Sequence, residues 1–374
     1  MQYSIDDLVR LAKRDNNNIR PYLYVNPIQG KHIPTNPEDT MMMCRTLANM
    51  VKVAYPSDRL FVIGFAETAT GIAAGVCHYL DNVVYYQNTT REQVDNEEYL
   101  YFTESHSHAT NQMLRTNSIG RCFENVDRII FIDDEVTTGN TICKLADMLE
   151  DKYGISKIKY SIASILNSMT NLRVDQLEDK GIECLFISDL PFEYKKDSIM
   201  NISHEKDRDT LCKTDKMESV DCVEFNTKAN ARSTISFYEY ESEINRFVSK
   251  IKKIIRCEHY EKLLVLGTEE CMYPAIRLGE TLKKDGVAET VKVHATTRSP
   301  IIASCEDSYP LKHRYQIRSV YDKERDTYVY NLMKYDKVIV VTDTGIVAEG
   351  MNDLLVALRS VGNKNVLVLR WIYF

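Results

Sequence analysis

The stretch that most limits what this chain can fold into runs from Arg128 to Ile142: R-I-I-F-I-D-D-E-V-T-T-G-N-T-I. Ile129 to Ile132 form a short apolar run rich in β-branched residues, as expected of a strand buried in a parallel sheet. Asp133 and Asp134 follow and are expected to end that strand. Thr137, Thr138, Gly139, Asn140 and Thr141 then make a small, hydroxyl-rich loop. Ile142, Leu145, Ala146 and Leu149 recur at helical spacing beyond it. Strand, acids, loop and helix in this order make one unit of an α/β fold.

The chemistry of such a unit is specific. A helix N-terminus presents N–H groups without helical partners and the positive end of the helix dipole. Small residues let a phosphate approach that backbone, and glycine can take a positive φ. The threonine hydroxyls add donors. Two carboxylates at a strand end can accept neighbouring ribose hydroxyls, directly or through a magnesium ion. One loop can therefore hold a ribose 5-phosphate at both ends. The bland alternative is an ordinary strand-to-helix turn with a cap. The acids and the hydroxyl loop occurring together, in that order, favour the site.

Arg59 to Leu80 (R-L-F-V-I-G-F-A-E-T-A-T-G-I-A-A-G-V-C-H-Y-L) repeats the plan. Leu60 to Phe65 reads as a buried strand, Ala66 to Thr70 as a small-residue loop, and Gly71 to Leu80 as a helix, with His78 packed within it. Asn82 to Asn88 is a strand. The polar excursion that follows, to about Arg121, is long for a structureless loop and reads as a functional lid. It contains F-T-E-S-H-S-H-A-T-N-Q-M, with Glu104, His106, His108 and Asn111 as candidates. Imidazoles at alternate positions can share one side of an extended chain. They can hydrogen-bond or protonate a leaving group. His-x-His is also a metal pattern, but no third ligand stands close in sequence. Ile158 to Leu166 and Ile182 to Ile187 read as further strands separated by a helix over 169–180. Strands alternating with helices predict a doubly wound parallel sheet, with ligands at the carboxyl ends of its strands.

Before these units, Ser4 to Ala12 reads as a short amphipathic helix. Pro21 to Pro34 reads as a strand and a loop bearing Lys31 and His32, a surface loop or a hood over an active site. A helix follows through Val53. Residues 192–232 are charged and poor in large aliphatics, and read as a polar linker or insertion. An amphipathic helix is expected from Ile235 to Ile255. The first plan then returns weakly. Lys262 to Leu282 parallels Arg59 to Leu80, and Lys337 to Met351 parallels the Arg128 stretch. In the second copy Asp343 stands alone and Thr344-Gly345 follow at once, leaving little loop to wrap a phosphate. Arg298, Arg318 and Arg325 are candidates to converge on an anion. Tyr321, Tyr328 and Tyr330 are candidates to stack on a base. A plain domain interface is the alternative for this region.

At 374 residues the chain is expected to divide into domains. The expected division is 1–191, the linker 192–232, and 233–374. A net charge of −7 argues against nucleic-acid or membrane-surface binding by the chain as a whole. Ten cysteines without a C-x-x-C pair read as reduced thiols. No apolar run is long enough to span a bilayer and no signal-peptide core opens the chain, so a cytoplasmic location is expected.

D-D-E-V-T-T-G-N-T resembles the phosphoribosyl-diphosphate (PRPP) loop of type I phosphoribosyltransferases (PRTases). The resemblance implies that Asp133 and Asp134 bind the ribose hydroxyls, and they are also the candidates to hold a metal. It implies that Thr137, Thr138, Gly139, Asn140 and Thr141 bind the 5-phosphate. Ala66, Glu67 and Thr68 stand where that family binds pyrophosphate. Glu104, His106 and His108 fall where it carries a mobile catalytic loop. Many purine-salvage members have an aspartate where Thr137 stands, which puts a 6-oxopurine acceptor in doubt.

In the second half, H-A-T-T-R-S-P-I and the tyrosine-rich stretch after it resemble the TRSP domain. That domain follows a PRTase-like domain in bacterial proteins of tellurite-resistance and stress gene clusters. The implied architecture is α/β with two doubly wound parallel-sheet domains, the first of type I PRTase fold and the second a decayed PRTase-like copy. The implied activity is nucleotide-type chemistry: Mg2+-dependent transfer of ribose 5-phosphate from PRPP to a small-molecule or nucleotide acceptor, or to water in a ribosyl-cleaving variant. Lys31, His32, Arg298, Arg318 and Arg325 are candidates for the acceptor or for a second site. Partner proteins from the same gene cluster and a homodimer are further expectations. The rival reading is a non-catalytic PRPP or nucleotide sensor. A third reading is a diphosphokinase that makes PRPP, but it lacks evident ATP-binding arginines.

Overall fold

The computed structural model describes all residues except 1–2, 16, 18–19, 103–111, 191–198, 200, 217–218, 256–258, 345–347 and 374. Two compact units are present, each assembled from separate parts of the chain. The first comprises residues 1–5, 41–194 and 229–243, and the second residues 6–40, 195–228 and 244–374.

The first unit is built on a six-stranded sheet. Its order is Ile235–Ser236, Val83–Asn88, Leu60–Gly64, Arg128–Val136, Lys159–Asn167, Ile182–Asp189. The edge strand Ile235–Ser236 is antiparallel to its neighbour, and all other pairings are parallel. Every residue of Leu60–Gly64 is buried, as a strand covered on both faces requires. Phe61, Ile63, Phe131 and Ile162 of the sheet pack with Leu145 and Leu149 of the helix Asn140–Tyr153. Burying side chains of this size is worth about 1.5–3 kcal/mol each. That helix ends at Gly154, whose φ is +62° and whose N–H reaches the Glu150 carbonyl at 2.8 Å. Between Val83–Asn88 and Arg128–Val136 the chain forms an antiparallel pair, Tyr99–Phe102 with Gln112–Arg115. The proposed lid residues Glu104, His106, His108 and Asn111 fall between these two strands in sequence and lie outside the described residues.

The second unit carries a five-stranded, wholly parallel sheet. Its order is Asp221–Thr227, Val366–Tyr373, Lys337–Thr342, Tyr260–Gly267, Ala288–Ala295. A smaller sheet joins Asp209–Leu211, Arg314–Arg318 and Asp326–Tyr330. Leu264, Leu266, Val338, Val340 and Val368 pack with Leu354 and Leu358 of the helix Ala348–Ser360.

Both large sheets follow one order. The glycine-ended strand (Leu60–Gly64, Tyr260–Gly267) lies between the strand that follows it and the next large-sheet strand after that. A fourth strand comes next, and an antiparallel hairpin interrupts the chain between the second and third. The sheets differ in their fifth strands, since Ile182–Asp189 follows the fourth whereas Asp221–Thr227 precedes the rest of its sheet, and in the extra edge strand Ile235–Ser236 of the first.

Three sequence expectations need correction. The helix expected over 4–12 is confined to Ile5–Leu8, and Arg10–Lys13 instead pairs with Tyr22–Val25. Residues 192–232 are not simply a solvated linker. Asp209–Leu211 and Asp221–Thr227 are strands of the second unit, with Phe225 and Cys212 buried. Edge strands with one apolar position in two look polar in sequence, which hid them. Asp133 and Asp134 do not end their strand, which runs on to Val136.

Candidate active site

The order of the first sheet places its topological switch point between the ends of Leu60–Gly64 and Arg128–Val136, the position where such sheets bind ligands. The two strands end differently. Leu60–Gly64 stops with Gly64 opposite Ile132. Asp133, Glu135 and Val136 continue to pair on the other side only, with Ser164, Leu166 and Asn167. The acids therefore stand on a rigid ladder, and among the described residues no strand pairs with its other edge. Both are partly exposed, and the Asp134 N–H donates to Asp133 Oδ1 at 2.9 Å.

The loop after them is braced by neighbouring elements. Gly139 is buried at φ +66°, so the chain turns into the helix Asn140–Tyr153 through a conformation that favours glycine. A Cβ there would also meet Leu177 at 3.1 Å. Arg173 braces the loop: its Nε donates to the Thr138 carbonyl at 2.8 Å and its Nη2 to Asn140 Oδ1 at 2.9 Å. The Ser168 hydroxyl donates to Glu135 at 2.8 Å. Thr137 and Thr141 are partly exposed beside this frame. Sequence reasoning missed Arg173 and Ser168, which belong to other elements and carry no local motif.

The second loop is wired to the hairpin. Ala66 N–H donates to the Thr89 hydroxyl at 2.8 Å, and that hydroxyl donates to Gln112 Oε1 at 2.8 Å. Glu67 is buried and its carbonyl accepts from the Thr70 hydroxyl at 3.2 Å, while Thr68 is partly exposed. Gly64 is required on steric grounds, because a Cβ would lie 2.5 Å from Ala73 Cβ and 2.6 Å from Asn88 Oδ1. His78 lies just past the end of the helix Thr70–Cys77, half-buried, with Nδ1 3.0 Å from Glu241.

Asp133 and Asp134 are hard oxygen donors that fit magnesium, an ion that keeps water and takes its remaining ligands from substrate. Among the described residues no group of three or more His, Cys, Asp or Glu side chains forms a cage of its own.

The second-unit candidates do not all meet. Arg298 Nε and Arg325 Nη2 reach Glu269 Oε2 at 2.6 and 3.0 Å, and Lys31 Nζ donates to the Glu269 carbonyl at 2.7 Å. His32 is buried and lies tilted toward Tyr330, with ring centroids 6.3 Å apart. Arg318 goes elsewhere, clasping the fully buried Asp353 at 2.8 and 2.9 Å. The tyrosines form no base platform. Tyr330 is fully buried with its hydroxyl on the Ser299 carbonyl, and Tyr328 stacks on it. Tyr321 donates to Asp343.

Matching hydrogen bonds put the two units in register. Phe65 N–H to Ile132 O (2.9 Å) corresponds to Thr268 N–H to Val341 O (3.1 Å). Thr89 N–H to Gly64 O corresponds to Thr296 N–H to Gly267 O. The Ala66 bond to the Thr89 hydroxyl corresponds to Glu269 N–H to the Thr296 hydroxyl at 3.0 Å. The Thr90–Met113 bridge to the hairpin corresponds to Thr297–Tyr328. Ala66 thus matches Glu269, and Asp134 matches Asp343.

The described cysteines are free thiols, and no described helix is long and apolar enough to cross a membrane.

Among solved structures, adenine phosphoribosyltransferase from Trypanosoma brucei is similar at 16% identity, covering 50% of this chain and 77% of that one, with a TM-score of 0.37. The enzyme from Giardia lamblia, complexed with 9-deazaadenine, is similar at 10% identity, covering 51% and 99%, with a TM-score of 0.36. Orotate phosphoribosyltransferase from Aeropyrum pernix is similar at 16% identity, covering 41% and 73%, with a TM-score of 0.27. Likenesses this loose carry no argument about substrate. No curated relative matches the chain. Two family models do: one described as phosphoribosyl transferase over residues 8–188, and one described as the TRSP domain C-terminal to it over residues 233–358. The chain therefore belongs, over these two segments, to the phosphoribosyltransferase family whose domain is followed by a TRSP domain.

Proposed function

We propose that the first unit is a magnesium-dependent phosphoribosyltransferase that takes ribose 5-phosphate from PRPP to an acceptor. The observation that carries this reading is the Asp133–Asp134 pair. It lies on an open strand edge at the switch point, directly before a Gly139 loop that opens a helix of 14 residues. In this reading the two carboxylates accept the ribose hydroxyls. The N–H groups after Gly139, with the Thr137, Thr138 and Thr141 hydroxyls and Asn140, hold the 5-phosphate at the positive end of the helix. Ala66, Glu67 and Thr68 border the pyrophosphate. Asp133 and Asp134 would hold magnesium, which would supply neutralisation of the pyrophosphate charge.

The chain's own residues then fix the ribose while the bond at C1 breaks. That is catalysis by positioning and by charge placed in advance. Glu104, His106 and His108 steady the leaving group in this scheme. Thr137 has no ionisable group, so the acceptor's proton must leave by another route. The same feature favours the rival reading, a PRPP-binding sensor that regulates a partner.

Calorimetric titration of PRPP with and without magnesium, followed by phosphorus NMR for pyrophosphate, tests the proposal. Magnesium-dependent binding with slow pyrophosphate release is expected. Binding without release, even with cell extract added, favours the sensor. No binding at all rejects both. His106→Ala combined with His108→Ala separates them further: turnover collapses in an enzyme, whereas a sensor keeps its affinity.

A further inference from the structure

The second unit has the first unit's loop positions, filled from within. Glu269, matched to Ala66, is fully buried. Its Oε2 accepts from Arg298 and Arg325, and its Oε1 from the Ser319 hydroxyl and from Thr327 at 3.3 Å. Two guanidinium groups and two hydroxyls around an anion, at the end of a parallel strand, are what a phosphate would be given there. Here the anion is a side chain of the protein. Glu269 also sits at φ +45°, a left-handed conformation uncommon for a residue with a side chain, and its backbone is fastened at both ends. Its N–H binds the Thr296 hydroxyl and its carbonyl binds Lys31.

The other half of the site is filled in the same way. Asp343, matched to Asp134, receives the Tyr321 hydroxyl at 2.5 Å and the Tyr373 hydroxyl at 2.8 Å. Two hydroxyls on one carboxylate are what a ribose diol presents. The Tyr321 hydroxyl is also 3.0 Å from that of Thr268, which in turn donates to Thr342 at 2.9 Å.

We propose that the second unit is a ribose-phosphate site occupied by its own side chains. Glu269 takes the place of the ligand's anion, and the Tyr321 and Tyr373 hydroxyls take the place of the diol. The chain therefore binds PRPP in the first unit alone. Removing the Glu269 side chain uncovers an anion site on Arg325 and on Arg298, whose Nη2 also faces Glu270 at 3.7 Å. This inference rests on reading the first unit as a ribose-phosphate site, which gives the matched positions their meaning.

Inorganic pyrophosphate, titrated calorimetrically into the full chain, is the probe. Glu269→Gly removes the side chain and its charge, and glycine tolerates the φ of +45° found there. It is expected to bind one more equivalent of pyrophosphate than the wild type, at least about tenfold tighter than any second-unit binding in the wild type. Adding Arg325→Gln to that variant is expected to remove the extra equivalent. In the otherwise wild-type chain Arg325→Gln is expected to leave pyrophosphate and PRPP affinity unchanged. Glu269→Gly that binds no more than wild type overturns the proposal. So does a loss of pyrophosphate or PRPP binding on Arg325→Gln alone. If Glu269→Gly does not fold, the Arg325→Gln arm still decides. Failure of the phosphoribosyltransferase reading shows separately, as wild-type chain that binds no PRPP, because the gain on Glu269→Gly is read without PRPP.

Discussion

Ala66 and Glu269 hold the same place in two sheets of the same strand order, and their N–H groups make the same bond to a threonine beyond the second strand. The first loop keeps a small residue there, beside partly exposed acids. The second carries a carboxylate buried among arginines and hydroxyls. Sheet order and ladder register survive such a change because they depend on the backbone and on the glycine at each strand end. A buried ion cluster of this kind is weak evidence of stability, since desolvation offsets much of the attraction, but breaking it by removing one partner is costly.

The comparison can be broken or sharpened in four ways. The largest effect is expected at the acids that only the first unit pairs. Asp133→Asn with Asp134→Asn should lower PRPP turnover by about a thousandfold, the scale of losing charge placed for the transition state. An unchanged dissociation constant for PRPP would remove the basis for calling the loops different in function.

Next come the two glycines. Gly267→Ala would place Cβ 2.4 Å from the Cys271 carbonyl oxygen, a backbone atom with nowhere to go. A loss of about 3 kcal/mol in denaturant unfolding is expected. Gly64→Ala meets side-chain atoms of Ala73 and Asn88, of which the Asn88 amide can swing aside, so its loss should be smaller. Equal losses would mean that the strand ends are less alike than their bonds imply.

Acid should act on the second unit through His294, whose pKa burial pushes down to about 4, with nearby Lys31 adding to the effect. The unfolded chain takes up this proton near pH 6.5 and the folded one does not. Stability is therefore complete above about 6.5 and declines as pH falls toward 4. The loss at pH 5 is about 2 kcal/mol. The fluorescence of Trp371, the one tryptophan in the sequence, packs between Phe225 and Phe247 and reports this unit. His294→Gln should flatten that pH dependence.

The smallest effect is expected from Arg173→Ala, which leaves the acids in place and loosens the loop carbonyl and amide that Arg173 braces. PRPP affinity should fall about tenfold, the worth of one to two charge-assisted hydrogen bonds. No change would mean that Gly139 and the helix hold the loop unaided.

The frame of the first unit's candidate site was legible in the residues themselves. The apolar run, the two acids, the hydroxyl loop and the helix are contiguous, so their order already states the geometry. The carboxyl-end placement of the Ala66 loop follows from the same reasoning. Arg173, Ser168, Thr89 and Gln112 were not legible, because each reaches the site from a different element. The TRSP string was visible as a motif, yet nothing local says that its Arg298 serves a glutamate rather than a ligand. The lid candidates Glu104, His106 and His108 rest on sequence alone.

By itself the sequence determined the strand–loop–helix units and the aspartate pair Asp133 and Asp134, where the second unit has Thr342 and Asp343. Each of these is carried by periodicity, glycine and helix-end chemistry acting over a few residues. Only the tertiary structure decided that Asp221–Thr227 would close the second sheet, and that Arg10–Lys13 would be a strand. It alone placed Lys31, Arg298 and Arg325 on Glu269, across sequence separations of 238, 29 and 56 residues. The physical reason is that an edge strand or a buried charge has no preferred partner until loop closure brings one near. Its final state is then set by whichever group satisfies its hydrogen bonds where water is excluded.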